Sequence, residues 1–317
     1  MDEFEIIRRY FKPRKTGKRV IVGVGDDGAV LRPRKGRDLI AVVDTLVAGV
    51  HFPVDMSAED IGCRAVAVNV SDIAAMGGKP RWMTVSLTTD EGAPEWLEDL
   101  GNGLQLAGDR YGIDLVGGDT TRGSETVISV NVIGDVKRDR ALTRSGAKKG
   151  DRIYISGYPG DAAAGLSILQ SDNPGNRMWA TNDYLVRRFA NPDVRLELGQ
   201  ALVGTASAAI DISDGLYADL EKLLTASGVS GVIDVDRIPL SEELRKTVSE
   251  EAALEFALGG GDDYELCFTS SDKSVVEIGA ALGIPVTRIG KVKKGSGLKC
   301  RKDGERYPYA STGYRHF

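Results

Sequence analysis

Apolar positions recur along this chain at two periods, one suited to strands and one to helices. Val20 to Val24 is a short β-branched run, and Leu39-Ile40-Ala41-Val42-Val43 is continuously apolar, so both predict buried strands. Phe4, Ile7, Tyr10 and Phe11 have helical spacing ahead of Pro13. Ser57 with Asp60 three residues on predicts an N-cap and its capping-box partner. The helix they open runs through Cys63, Val66 and Val70 to Met76 and stops at Gly77-Gly78, with Asn69 and Asp72 on one face. A strand over 83–88, a helix over 95–111 and strands over 115–120 and 126–136 complete the first half.

A basic segment follows, with Lys137, Arg138, Arg140, Arg144, Lys148 and Lys149, and the domain boundary falls there, dividing residues 1–137 from 138–317. The second half predicts strands over 152–156, 208–210, 232–235, 264–268 and 286–292. Its helices fall over 162–169, 182–189, 194–203, 216–226, 241–254 and 275–282. The fold class is therefore α+β in two mixed domains, the N-terminal sheet carrying helices on one face.

Composition narrows the function. At 317 residues, two domains are the natural expectation. No apolar run approaches the ~20 residues of a membrane span, and the acidic Met1-Asp2-Glu3 start is unlike a signal peptide. Cys63, Cys267 and Cys300 are scattered and odd in number, which points to a reducing cytoplasm. A net charge of −5 argues against a nucleic-acid binder, and only His51 and His316 are available for a histidine metal site or a catalytic relay.

The candidate chemistry lies in the aspartates. Gly23-x-Gly25-x-x-Gly28 matches a dinucleotide fingerprint in spacing, but Asp26 and Asp27 would repel a pyrophosphate and residues 31–36 do not continue as an amphipathic helix. Alone, the stretch reads as an Asp-Gly turn between strands. The same context recurs, however: Asp27, Asp44, Asp72, Asp119, Asp211 and Asp214 each stand where an element gives way to a loop, beside glycine or another small residue. A single such aspartate is a turn former or cap. Six that converge would need cations, and oxygen-only ligation favours several Mg²⁺, which complete their shells with water and phosphates. There is neither a Gly-x-x-x-x-Gly-Lys-Ser/Thr loop nor a protein-kinase motif set.

The ordered set Gly25-Asp26-Asp27, 44–52 (DTLVAGVHF), 68–77 (VNVSDIAAMG), Gly117-Gly118-Asp119-Thr120, Asp211-Ile212-Ser213-Asp214-Gly215-Leu216 and Gly260-Gly261-Asp262-Asp263-Tyr264-Glu265-Leu266 resembles the thiamine-monophosphate kinase family. The match keeps order and spacing from Phe4 to the C-terminus, and the wider superfamily is that of aminoimidazole ribonucleotide and selenophosphate synthetases. The resemblance implies ATP-dependent phosphorylation of thiamine monophosphate with several Mg²⁺, in a homodimer whose N-terminal sheets pack into a barrel. By resemblance, Asp27, Asp44, Asp72, Asp119, Asp211 and Asp214 carry the metals, with Val43 offering a backbone carbonyl. Gly118, Asp119, Arg144 and Ser213 hold ATP, and His51, Asp262 and Tyr314 meet the thiamine phosphate. The chain departs from the family pattern at Val42 and Val43, where relatives often carry hydroxyls, at Asp262, where Glu is common, and at Tyr314, where a larger aromatic is frequent.

Read without the resemblance, His51 is a loop residue, Arg144 a solvated linker charge and Tyr314 a surface anchor. Two other readings stay open: a sibling ATP-dependent enzyme of the same fold, or a nucleotide- and cation-binding module without turnover. Selenophosphate synthetase chemistry would want a cysteine near the N-terminus, and the first here is Cys63.

Overall fold

The computed structural model describes residues 3–11, 17–90, 92–170, 184–310 and Gly313. They fall into two units, Met1–Ile73 with Gly78–Asp139, and Ala74–Gly77 with Arg140–Phe317.

The first unit opens with α1 (Glu3–Ile6), which continues as a π-helix over Ile7–Phe11. Strands β1 (Val20–Val22) and β2 (Val30–Leu31) pair antiparallel, so the Asp26-Asp27-Gly28 turn joins two strands and no helix follows the glycines. β3 (Arg37–Val47), α2 (Ala58–Ala75), β4 (Lys79–Thr89), α3 (Pro94–Tyr111), β5 (Asp114–Arg122) and β6 (Val127–Lys137) follow. The sheet has the order β3-β6-β4-β5. Ser57 caps α2 as predicted, its Oγ accepting the Asp60 N–H at 3.1 Å and donating to the Asp60 carboxylate at 2.6 Å.

Val85, Leu87, Ile128, Val130 and Val132 are buried from the sheet, and Val66, Val70, Leu97, Leu100 and Leu104 from α2 and α3. The two helices run close, since a side-chain carbon at Gly103 would stand 2.1 Å from the Glu59 carbonyl oxygen. The run 39–43 is not buried throughout, contrary to its sequence reading. Leu39 is 54% exposed and Val43 63%, while Ile40 is buried. Leu39, Ala41 and Val43 share the exposed face of β3, which is an edge strand of this sheet.

In the second unit come β7 (Arg152–Ser156), α4 (Asp161–Leu169), α5 (Tyr184–Ala190), α6 (Leu196–Ala201), β8 (Ala208–Asp211), α7 (Leu216–Ala226) and β9 (Ser230–Asp234). They are followed by α8 (Glu242–Thr247), α9 (Glu250–Gly259), β10 (Leu266–Ser270), α10 (Val275–Ala281), β11 (Val286–Lys293), β12 (Leu298–Lys302) and β13 (Glu305–Tyr307). The seven-stranded sheet has the order β13-β12-β9-β11-β7-β10-β8. Alternation along β7 sends Ile153 and Ile155 into a core with Leu216, Leu220 and Leu258, and Tyr154 into another with Leu198, Leu202 and Phe268.

The single helix predicted over 241–254 is two, because Ser249 accepts the Ala252 N–H and caps a second start. The sequence predicts no strand over 298–307, yet β12 and β13 pair as a hairpin, and the only apolar alternation there is the short Leu298-Lys299-Cys300. The start of the helix predicted over 182–189 lies outside the described residues, which resume at Tyr184.

Candidate active site

Gly25, Asp26, Asp27 and Gly28 form one wall of a cleft of about 420 Å³ in the first unit, and Gly117, Gly118 and Asp119 of β5 form another. Three of the sequence candidates, Asp27, Gly118 and Asp119, are thus brought together. Gly25 makes the turn with a φ of 113°, a conformation L side chains rarely adopt. Gly118 is required by its neighbour, since a side-chain carbon there would stand 2.0 Å from the Val85 carbonyl oxygen.

Two aspartates are not at element ends as expected. Asp44 lies within β3 opposite Val130, because β3 pairs with β6 without interruption from Arg37 to Val47. Asp119 lies within β5 opposite Ser86, because the glycines before it are accommodated inside the strand. Asp72 is half-buried near the end of α2. The Val42 carbonyl accepts the Asn131 side-chain amide at 2.7 Å, and Val43 pairs with Asn131 across the ladder. His51 closes the turn after β3, its Nδ1 accepting the Val47 N–H at 3.0 Å, so a neutral ring carries its proton on Nε2.

In the second unit, Asp211 ends β8 and is 5% exposed. The loop after it presents Ser213 and Asp214, whose N–H groups both donate to Asp219 Oδ2, at 3.0 and 2.9 Å. Lys222 Nζ lies 2.5 Å from Asp214 and 2.7 Å from Asp219. Asp262 adjoins this loop, its N–H donating to the Ser213 carbonyl at 2.9 Å. Gly313 packs on it too, since a side-chain carbon there would meet the Asp214 carbonyl oxygen at 3.0 Å. Tyr314 itself lies outside the described residues. Arg144 is exposed, and its carbonyl accepts the Ser227 hydroxyl just past the end of α7, whereas Ser213 precedes that helix.

Behind the Asp262 loop lies a buried ionic network. Glu265 accepts bonds from Arg188 at 2.8 Å, from Arg195 at 2.6 and 2.5 Å, and from the Ser156 hydroxyl at 2.5 Å. Burial alone would raise its carboxyl, but the guanidiniums of Arg195 and Arg188 outweigh that and hold it below the ordinary value. Asp263 accepts the Gly160 and Ala162 N–H groups at 2.7 and 3.3 Å, and burial pushes its carboxyl well up. Burial also pushes Asp161 up to about 6, against hydrogen bonds from Ser241 and Tyr184.

Among the described residues no three His, Cys, Asp or Glu side chains gather as a metal cluster. The donor set still fits Mg²⁺. Asp26, Asp27 and Asp119 line one cleft with oxygen donors only, and Asp214 already holds a cation, the Lys222 ammonium. A metal that keeps several waters and phosphate oxygens needs few protein ligands.

The AIR synthase related protein N-terminal domain model matches residues 25–136, and the corresponding C-terminal domain model matches 148–303. The thiamine-monophosphate kinase of Salmonella typhimurium is 42% identical over 99% of this chain and 98% of its own. The chain belongs to the thiamine-monophosphate kinase family. The crystal structure of the thiamine-monophosphate kinase from Stenotrophomonas maltophilia K279a superposes with a TM-score of 0.84 at 40% identity, covering 95% of each chain. AaThiL complexed with AMPPCP and TMP superposes at 0.78 with 31% identity, covering 99% of this chain and 96% of that one.

Against the residues that resemblance to thiamine-monophosphate kinases singled out, the structure adds Asp219, Lys222, Glu265, Arg188 and Arg195. A signal for Glu265 is present in Asp263-Tyr264-Glu265, where alternation sends two acids inward, but the arginine partners of Glu265 are 70 and 77 residues away.

The raised Asp161 carboxyl has a consequence for stability. The folded chain keeps a proton that the unfolded chain loses above the ordinary value of 3.8, so this stabilisation is complete below pH 4 and is lost as pH rises to about 6. Asp161→Asn cannot ionise. Its stability relative to wild type is expected to improve by ~1–3 kcal/mol between pH 4 and 7. Urea denaturation across that range measures this, and a constant difference would contradict it.

Proposed function

We propose that this protein transfers the γ-phosphoryl group of ATP to thiamine monophosphate, forming thiamine diphosphate and ADP. The observation that carries the reading is full-length similarity to thiamine-monophosphate kinases, one of them solved with AMPPCP and TMP. The Gly25–Gly28 and Gly117–Asp119 walls of the first-unit cleft support it, since glycines let phosphates approach the backbone closely.

In the proposal, Gly118, Asp119, Arg144 and Ser213 hold ATP, and His51, Asp262 and Tyr314 hold the thiamine phosphate. Asp27, Asp44, Asp72, Asp119, Asp211 and Asp214, with the Val43 carbonyl, would hold Mg²⁺, which supplies charge neutralisation between nucleotide and carboxylates. The acceptor is a phosphate oxygen, already anionic at neutral pH, so no residue is assigned as a general base. What the chain supplies is alignment for direct in-line transfer.

A homodimer belongs to the same proposal. Leu39, Ala41 and Val43 form an exposed stripe on β3, an edge strand of an open sheet, and such an edge is ordinarily covered. Among the described residues no helix is long and apolar enough to cross a membrane. A cytoplasmic location accords with three free cysteines.

ADP release with thiamine monophosphate, compared with aminoimidazole precursors and selenide, tests the activity. Thiamine monophosphate alone should support turnover, and Asp119→Asn should lower kcat/KM by ~100-fold with an unchanged melting temperature. Activity of that variant within threefold of wild type would remove Asp119 from the site. Light scattering tests the assembly: wild type should run as a dimer and Leu39→Glu as a monomer, whereas a monomeric wild type with full activity would sink the dimer.

A further inference from the structure

Four non-glycine residues among those described have a left-handed backbone, and two of them, Asp262 with φ 66° and Tyr264 with φ 53°, lie in one loop. A tyrosine in that conformation is strained and persists only where its surroundings impose it. Here they do. Asp263 and Glu265, both fully buried, clamp the loop from inside through the Gly160–Ala162 turn and the two arginines. In addition, Tyr264 N–H donates to the Ile212 carbonyl at 2.8 Å and Ile212 N–H to the Glu265 carbonyl at 2.8 Å, which ties the loop to the segment carrying Ser213 and Asp214. The alternation leaves Asp262 and Tyr264 side by side, with the Tyr264 hydroxyl donating to Asp262 Oδ1 at 3.1 Å.

We propose that Tyr264 is a positioning residue that aims the Asp262 carboxylate at the cationic, amino-bearing part of thiamine monophosphate and away from its phosphate. This rests on the assignment of Asp262 to substrate made above and goes beyond it in two respects. A carboxylate repels a phosphate, so its complement in this substrate is the thiazolium charge or the aminopyrimidine donor. And a short acid on a strained loop needs a fixed direction, which the 3.1 Å bond from a 7% exposed tyrosine gives.

The test is steady-state kinetics of Tyr264→Phe, Asp262→Asn and the double variant, with melting curves for each. Asparagine tolerates the left-handed backbone, so Asp262→Asn should fold. Tyr264→Phe is expected to raise KM for thiamine monophosphate about tenfold, as for loss of a hydrogen bond to a charged group, with kcat and KM for ATP within about twofold. On the Asp262→Asn background the same change should cost less than about twofold. The melting shift given by thiamine monophosphate should shrink in Tyr264→Phe, and that given by AMPPCP should not. If Tyr264→Phe lowers the melting temperature yet leaves KM for thiamine monophosphate unchanged while Asp262→Asn raises it, the positioning role is wrong and the substrate assignment stands. If Asp262→Asn leaves that KM unchanged, the assignment fails and the inference with it.

Discussion

A backbone carbonyl, that of Val85, occupies the place where a side chain at residue 118 would begin, 2.0 Å from its first carbon. The first-unit cleft depends on this contact. Glycine at 118 lets β5 lie against β4 with Asp119 next along the strand, so a carboxylate meets the cleft beside bare backbone. Across from it the Gly25–Gly28 turn offers Asp26 and Asp27 on an equally unencumbered chain. Short acids on glycine-flanked backbone present oxygens without bulk, the arrangement a hydrated hard cation and a chain of phosphates require.

The second unit handles its acids differently. Lys222 lies on Asp214 and Asp219, and Arg188 and Arg195 converge on Glu265. Unpaired, a carboxylate as deeply buried as Glu265 would be protonated or would unfold the region, so the arginines are a condition of the fold. With Asp263, they fix the loop on which the half-buried Asp262 and the buried Tyr264 stand. Charge inside unit 2 therefore supports the geometry of the Asp262 carboxylate.

Much of this was legible in the sequence because it rests on local rules. β7 and α7 have the bounds their apolar periods predict, and the Ser57 cap sits where its motif placed it. The failures are equally physical. Acids and glycines are depleted in strands, so the sequence places Asp44 and Asp119 at element ends, yet the pairing of β3 with β6 and of β5 with β4 overrides that preference. Ser249 restarts a helix inside an apolar period that looks continuous. Leu39–Val43 looked buried because an apolar run cannot reveal whether its second face is covered by the same chain. The Glu265 network was invisible because its partners meet only through tertiary folding.

In the proposed function the acidic residues form one side of a metal–phosphate bridge, and a melting experiment in four conditions tests this most directly: no ligand, Mg²⁺ alone, AMPPCP in excess chelator, and Mg²⁺ with AMPPCP. Mg²⁺ alone should raise the melting temperature slightly and AMPPCP with chelator almost not at all. The two together should raise it strongly and in proportion to the logarithm of AMPPCP concentration. Equal stabilisation by AMPPCP with and without chelator would contradict the account, because the carboxylates would then be binding no metal between themselves and the phosphates.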